Sequence, residues 1–506
     1  MYNENTGQKN YHLSGEYYLK SSGKNIIFET VNFSKPDSAM KTLKSLPSPK
    51  GKFIFGHLVD FNRNNKHQVL EDWVKESGNL FQIRLLTKRF IVSADQKLNL
   101  QILKLRPGKF RRFYKISEIL EEMGVAGVFS AEGEDWKKHR KITSEALNVK
   151  NMPAYFPIVQ TVTQRLLSKW LKLQGEQCRI EVQVELMRLT VDITSTLAFG
   201  YPMNTVEEKE DAIQKHLEKV FPMINSRITA PLPTWRLIKS KKDKELDKAL
   251  KIIFKNIQEF IDEAKQRLQS KPELKEKPAN FLEALLVEQE KEGSFSDKEI
   301  IGNVFTLLLA GEDTTSNSIC WALYYLAQDP EAIKKIRKEA IEIYGNAPIL
   351  TQYDQLAQLK YAEAVALESM RLKPVTPALF NEALEDVEVD GLQIKKGMVV
   401  MSQNKVAQTH ADNFTDPDAF TPERWLPKTN GCPFHAAHKP EVIHVFGAGP
   451  RFCPGKTLAM QEMICVISMI CKNFDFELAI DKEDITEEFA FTMYPKNLWI
   501  KLKKIQ

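Results

Sequence analysis

Residues 446–455 read F-G-A-G-P-R-F-C-P-G, a turn of glycines and prolines that holds one cysteine, Cys453, with a cation, Arg451, two residues before it. An apolar run with helical spacing, Leu458 to Ile470, follows. A cysteine just ahead of a helix N-terminus faces unpaired N–H groups and the positive end of the helix dipole. Both favour thiolate over thiol. A thiolate held rigidly in such a turn is a good axial ligand for haem iron, because it pushes electron density onto the metal and promotes O–O cleavage.

The pattern F-x-x-G-x-R-x-C-x-G, carried by Phe446, Gly449, Arg451, Cys453 and Gly455, resembles the haem-binding loop of the cytochrome P-450 family. The resemblance implies heme b (iron protoporphyrin IX) with the Cys453 thiolate as axial ligand. It also implies a mainly α fold with small β-sheets in a single large domain.

Three further segments match the family in order. Glu368-Ser-Met-Arg371 places an acid and a base on one helix face, and Pro374 and Pro377 stop that helix. Thr421-Pro-Glu-Arg424-Trp425 lies some fifty residues on. The resemblance implies that Glu368, Arg371 and Arg424 form a buried ionic triad behind the haem loop. These are structural rather than catalytic residues, since a buried charge needs partners.

Ala310-Gly-Glu-Asp313-Thr314-Thr315 falls inside an apolar helix that opens at Ser296, with Glu299 completing a capping box. The pattern predicts a helix to about Gln328, long enough to cross a domain. The Ala-Gly pair offers a surface where a flat ligand can approach the backbone. An acid followed by threonine is a poor core choice and a useful one for proton delivery. In the family this helix passes over the distal haem face. The resemblance gives Thr314 the task of holding dioxygen and Asp313 that of feeding a proton relay. Finally, Trp136-Lys-Lys-His-Arg140 puts Trp136 and Arg140 on one helix face. By resemblance both reach a haem propionate, which Arg451 helps to neutralise.

Two positions depart from the family's habit. Val445 stands where a proline often precedes the haem-loop phenylalanine, and Ala378 to Asn381 lack an arginine common there. One propionate is therefore expected to use other donors.

The resemblance covers roughly residues 45 to 503. No Gly/Ser linker or repeat divides the 506 residues, and the motifs must meet at one site. A polar N-terminal extension, 1–45, is expected ahead of a haem-thiolate catalytic domain, 46–506. Residues 1–45 hold no apolar stretch long enough for a membrane span or a signal-peptide core, so a cytoplasmic protein with no transmembrane segment is expected. A hairpin around Ser21-Ser-Gly23 is read within Glu16 to Glu29. The chain is too short for a fused flavin reductase, so a separate ferredoxin or flavodoxin-type redox partner and its reductase are expected. Lys137, Lys138 and Lys141 form a basic face on which an acidic partner could dock. The net charge of +5, with acids and bases well mixed, gives no sign of nucleic acid as a target. The six cysteines, at 178, 320, 432, 453, 465 and 471, show no disulfide-framework spacing. Cys465 and Cys471 read as small core residues.

Substrate pockets are mostly apolar. Three segments are expected to line one: Phe110 to Phe129, the proline-bearing loop Phe221 to Trp235, and Phe489, Phe491 and Met493. They favour a small lipophilic substrate. The leading expectation is a haem-thiolate monooxygenase that inserts one oxygen atom of dioxygen into that substrate. A peroxygenase or hydroperoxide isomerase on the same fold is the alternative, and the Asp313–Thr314 pair argues against it. A haem sensor or carrier would not need that pair either. A zinc knuckle at Cys432-x-x-His435-x-x-His438, with His444 nearby, is a weaker alternative.

Overall fold

Ser296 starts the helix that organises the molecule. Its backbone N–H donates to the Glu299 carboxylate at 2.8 Å, and the Glu299 N–H donates back to its hydroxyl at 3.3 Å. The helix then runs unbroken over Asp297–Leu326, 30 residues, or about 45 Å at 1.5 Å per residue. Asp329 caps the next helix, Pro330–Tyr344, through the Ala332 N–H. Most residues of the long helix are buried, the polar Asn303, Glu312, Asp313 and Asn317 among them. A helix buried to that extent must be covered by neighbours on most of its faces. Val182–Phe199, Lys360–Leu372 and Lys456–Asn473 pack against it.

These elements come from a computed structural model, which describes residues 18–22, 25–29, 40–61, 63, 65–207, 212–230, 232–290, 295–427 and 438–505. The described residues fall into two units, one before Thr42 and one from Thr42 onward. In the smaller one, Tyr18–Ser22 and Asn25–Glu29 make the expected antiparallel hairpin, with Ser22 opposite Asn25.

In the larger unit, small sheets flank the helices. A five-stranded sheet has the order Leu80–Leu85, Lys88–Ser93, Val399–Gln403, Ala378–Ala383, Phe110–Arg112. Its one parallel pair joins Val399–Gln403 to Lys88–Ser93, and its edge sets Arg112 opposite Asn381. A hairpin, Thr486–Phe489 with Met493–Lys496, carries Ala490, Phe491 and Thr492 on its turn. The mainly α class with small sheets is thus observed.

The core divides along the long helix. Ile319, Cys320 and Leu323, on its C-terminal half, pack with the final helix and with Trp170 and Leu166; Cys465 and Cys471 lie in this cluster, as expected. Val304, Phe305 and Leu308, on its N-terminal half, pack with Phe260, Phe199 and Ile224. Among the described residues, no helix is long and apolar enough to cross a membrane.

One expected loop is largely a helix. Val220–Thr229 is α-helical, although Pro222 suggests a breaker. Pro222 sits in the first turn, where the missing N–H has no intrahelical partner to lose. Irregular backbone begins only at Ala230.

Candidate active site

A cavity of about 810 Å³ lies beneath the long helix, and Cys453, Ala310, Thr314, Trp136, Arg140 and Arg451 all line it. Segments far apart in the chain therefore meet on one space. Phe129, Phe489 and Phe491 line it too, with Phe491 packed edge-on to Phe129 at 5.7 Å. Met493 is fully buried in the hairpin behind them.

The cysteine turn is built from its own backbone. Cys453 N–H donates to the Phe446 carbonyl at 2.8 Å, and Phe452 N–H to the Gly449 carbonyl at 3.1 Å. Gly449 has φ +68°, and a Cβ there would lie 2.4 Å from the Leu103 carbonyl oxygen. That contact and that conformation both require glycine. Gly455 is the N-cap of Lys456–Asn473, and Lys456 Nζ lies 5.8 Å over the Phe446 ring. Burial raises the Cys453 thiol above its ordinary value, opposed by the N–H groups of Gly455 and Lys456 and by the Arg140 charge. The helix-terminus effect expected from the sequence is present but smaller than the desolvation of the sulfur. A bound metal ion deprotonates such a thiol outright.

Across the cavity, Ala310 is exposed to the open space. Thr314 Oγ1 donates to the Ala310 carbonyl at 2.6 Å, an i−4 bond that leaves its oxygen lone pairs toward the cavity. Gly311 serves a second purpose that the sequence does not suggest. A Cβ there would meet Thr194 Oγ1 at 2.4 Å, so this glycine lets the neighbouring helix approach. Asp313 does not line the cavity. Its side chain is buried, accepting from Asn317 Nδ2 at 2.9 Å and from the Thr492 hydroxyl. Burial pushes its pKa up to about 6, and those two hydrogen bonds only partly offset it. Gln183 Nε2 donates to Asn317 Oδ1 at 3.1 Å, so a polar chain leads from Asp313 to the half-buried Gln183.

Cations crowd the rim near Cys453. Arg451 pairs with Glu132 and lies 5.0 Å over the buried Trp136 ring. Arg140 Nη1 donates to the Phe452 carbonyl at 2.7 Å, tying its helix to the cysteine turn. Two further arginines line the same space, Arg106 and Arg112. Arg106 is 5% exposed, and burial with the Arg451 charge brings its pKa down to about 10. Arg112 lies 3.7 Å over the Phe129 ring. Burial and the charges of Arg106 and Arg451 pull its pKa well down. Among the described residues, Arg106 Nε and Nη2 and Arg112 Nε have no hydrogen-bond partner. Glu132 is the carboxylate that acts on this group. Buried guanidinium donors left unpaired are costly. A haem group, flat and with two propionate carboxylates, fits this donor set and the slot between Cys453 and Ala310. The segment Arg106-Pro-Gly-Lys-Phe-Arg-Arg112 carries no motif that singles it out in the sequence. Its density of arginine is the available signal, and the strand pairing sets Arg112 beside Asn381, in the stretch 378–381 that lacks an arginine.

Glu368 is fully buried and saturated. Arg371 donates to it through Nε at 2.8 Å and Nη2 at 2.7 Å. Arg424 Nε at 3.2 Å, Trp425 Nε1 at 2.9 Å and the Thr421 N–H at 3.0 Å complete its shell. Arg371 spends its remaining donors on the carbonyls of Gln408, Pro417 and Ala419. Trp425 is a member of this cluster beyond the three residues expected from the sequence.

Elsewhere the basic face is smaller than expected. Lys138 turns to Glu299 at 2.6 Å, bracing the cap of the long helix, while Lys137 and Lys141 remain exposed. Cys432 and His435 of the zinc reading lie outside the described residues, and His438 packs on Phe414 and Trp425. Among the described residues no group of three or more His, Cys, Asp and Glu side chains could hold a metal ion.

The sequence model of the family described as Cytochrome P450 matches residues 46–502. Cytochrome P450 97B2, chloroplastic, of Glycine max is 26% identical, over 96% of this chain and 90% of that protein. Cytochrome P450 4V2 of Homo sapiens is 24% identical, over 91% and 87%. The self-sufficient cytochrome P450 monooxygenase CYP505E3 of Phanerodontia chrysosporium is 26% identical over 90% of this chain but only 42% of its own length.

Proposed function

The chain belongs to the cytochrome P450 family of haem-thiolate monooxygenases, and from that membership we propose that it hydroxylates a lipophilic substrate in the cavity between Cys453 and Thr314. The bound haem supplies the activation of dioxygen. The observation that carries this reading is the convergence of the Cys453 sulfur, the Thr314 hydroxyl and a surplus of guanidiniums on a single cavity.

In this reading the Cys453 thiolate would hold the haem iron. Its turn holds the sulfur in place through the Phe446 carbonyl and through the Gly455 and Lys456 N–H groups. Arg106, Arg112 and Arg451 would receive the propionates, with Trp136 and Arg140 bracing that wall. Glu368, Arg371 and Arg424 lock the backbone behind the turn. Phe129, Phe489 and Phe491 exclude water and orient the tail of the substrate.

Thr314 presents its hydroxyl to the reaction space, and Asp313, the residue before it, takes up and releases a proton. A carboxyl with a pKa of about 6 is suited to donate and regain a proton near neutral pH. Asn317, itself held by Gln183, orients the Asp313 carboxyl. Proton delivery requires Asp313 to turn from Thr492 toward Thr314 during turnover. The hydrogen-bonded acid next to Thr314 also supports monooxygenation over peroxide-driven chemistry, which needs no such supply.

Electrons are taken from a separate ferredoxin or flavodoxin-type protein, docking where Lys137 and Lys141 stand exposed. Residues 46–506 form the catalytic domain, with 1–45 an extension to it.

Thr314→Ala tests the assignment. Electron consumption should continue while most reducing equivalents appear as hydrogen peroxide rather than product. Coupling equal to that of the parent protein would overturn the role of Thr314.

A further inference from the structure

Lys66 is a lysine in an unfavourable place. It is the first residue of the helix Lys66–Ser77, where the helix dipole is positive and a cation is disfavoured. It is only 6% exposed, yet it lines the cavity that continues to Thr314 and Cys453.

Its ammonium makes one hydrogen bond, to Asn225 Oδ1 at 2.7 Å, and lies 5.6 Å over the Phe489 ring. Asn225 is itself held by its Nδ2, which donates to the Phe489 carbonyl at 3.1 Å. Acids in the neighbourhood are already taken. Glu487 is claimed by His67 at 2.9 Å, by Lys373, and by Lys405 at 3.8 Å. Glu71 pairs with Lys405 at 3.0 Å. Among the described residues, no carboxylate pairs with Lys66.

Burial alone lowers its pKa to about 8, so the ammonium is still mostly charged at pH 7. A buried ammonium with unused N–H donors is destabilising unless something pairs with it. The other lysines on the cavity wall do not share this position. Lys115 is half-buried and donates to the Ala230 carbonyl at 2.8 Å, and Lys88 is exposed and reaches the Tyr114 hydroxyl at 3.2 Å.

We propose that Lys66, positioned by Asn225, binds the carboxylate of an amphipathic acid whose apolar chain extends along Phe489 and Phe491 toward Thr314. The proposal rests on the monooxygenase reading for its purpose, and it narrows the lipophilic substrate to a fatty-acid-like class. Of the three lysines that line the cavity, Lys66 alone is buried, and one buried ammonium matches one monoanionic head. A neutral lipid leaves the charge unpaired.

Calorimetric titration of the haem-loaded protein with dodecanoate and with dodecanol tests this. The two probes share a tail and differ in the head. The parent protein should bind the acid about ten- to hundred-fold more tightly, the range of a charge-assisted hydrogen bond. Lys66→Met should lose most of that preference with dodecanol affinity unchanged, and Lys66→Arg should keep it. Equal binding of both probes by the parent protein overturns the proposal without any variant. A preference that survives in Lys66→Met overturns it equally. The carbon monoxide difference spectrum of the same preparation separates the two levels. A thiolate-type spectrum with no acid preference sinks this proposal alone, whereas loss of that spectrum sinks the monooxygenase reading.

Discussion

Glu368 and Asp313 are both buried acids on central helices, and their surroundings are opposite. Glu368 accepts from two guanidiniums, an indole and a backbone N–H. Asp313 accepts from one amide and one hydroxyl, both neutral. The first carboxylate is matched by two positive charges and further N–H donors, as a structural ion cluster must be. The second is left with its pKa raised to about 6 by burial. Lys66 repeats the second pattern with the sign reversed. In this molecule a saturated buried charge fastens the fold, and an under-partnered one marks a place where chemistry or a ligand is expected.

The contrast predicts mutations of opposite sign. The largest effect is expected at the saturated site. Glu368→Gln leaves two buried guanidiniums without their anion and should cost about 3–5 kcal/mol, read as a lowered urea midpoint of the haem-loaded protein. A loss below about 1 kcal/mol, the scale of a surface pair, would show that the triad is not a structural lock.

Asp313→Asn should go the other way. The folded pKa of Asp313, about 6, lies above its ordinary 3.8, so the native state binds its proton more tightly than the unfolded chain. Its contribution to stability is therefore greatest below about pH 4. It falls as pH rises from 3.8 to about 6, and the penalty persists above that. The asparagine variant removes this fall. At pH 7 it should be more stable by about 1–3 kcal/mol, since each tenfold gain in proton affinity on folding is worth roughly 1.4 kcal/mol. Turnover should drop about a hundredfold or more. Unfolding curves at pH 4 and pH 7 check the sign. A variant less stable than its parent at pH 7 would mean that Asp313 is structural after all.

The same contrast explains what could be read from the sequence. The cysteine turn, the capped helix from Ser296 and the Glu368–Arg371 pair are written in local spacing, turn residues and caps, which act over a few positions. Those elements stand where the spacing put them. Arg106, Arg112 and Lys66 are single cations whose meaning depends on distant partners. Arg112 matters because a strand sets it beside Asn381, and Lys66 because Asn225 and Phe489 close over it. The direction of Asp313 is likewise settled by Thr492, 179 residues away. Pairing at that range leaves no period in the sequence. The helix after Lys219 is hidden for a different reason, since a proline in a first turn looks like a breaker when the start of the helix is not known.

All of this depends on the sulfur at position 453 meeting the metal in the cavity beneath the long helix. The carbon monoxide difference spectrum of the reduced, haem-loaded protein bears on that contact without intermediaries, run beside Cys453→Ser. The expected result is the long-wavelength Soret band of a thiolate-ligated haem in the parent protein and its loss in the serine variant. A parent spectrum of the histidine-ligated type, or an unchanged band in Cys453→Ser, would refute the assignment of Cys453 as the axial ligand.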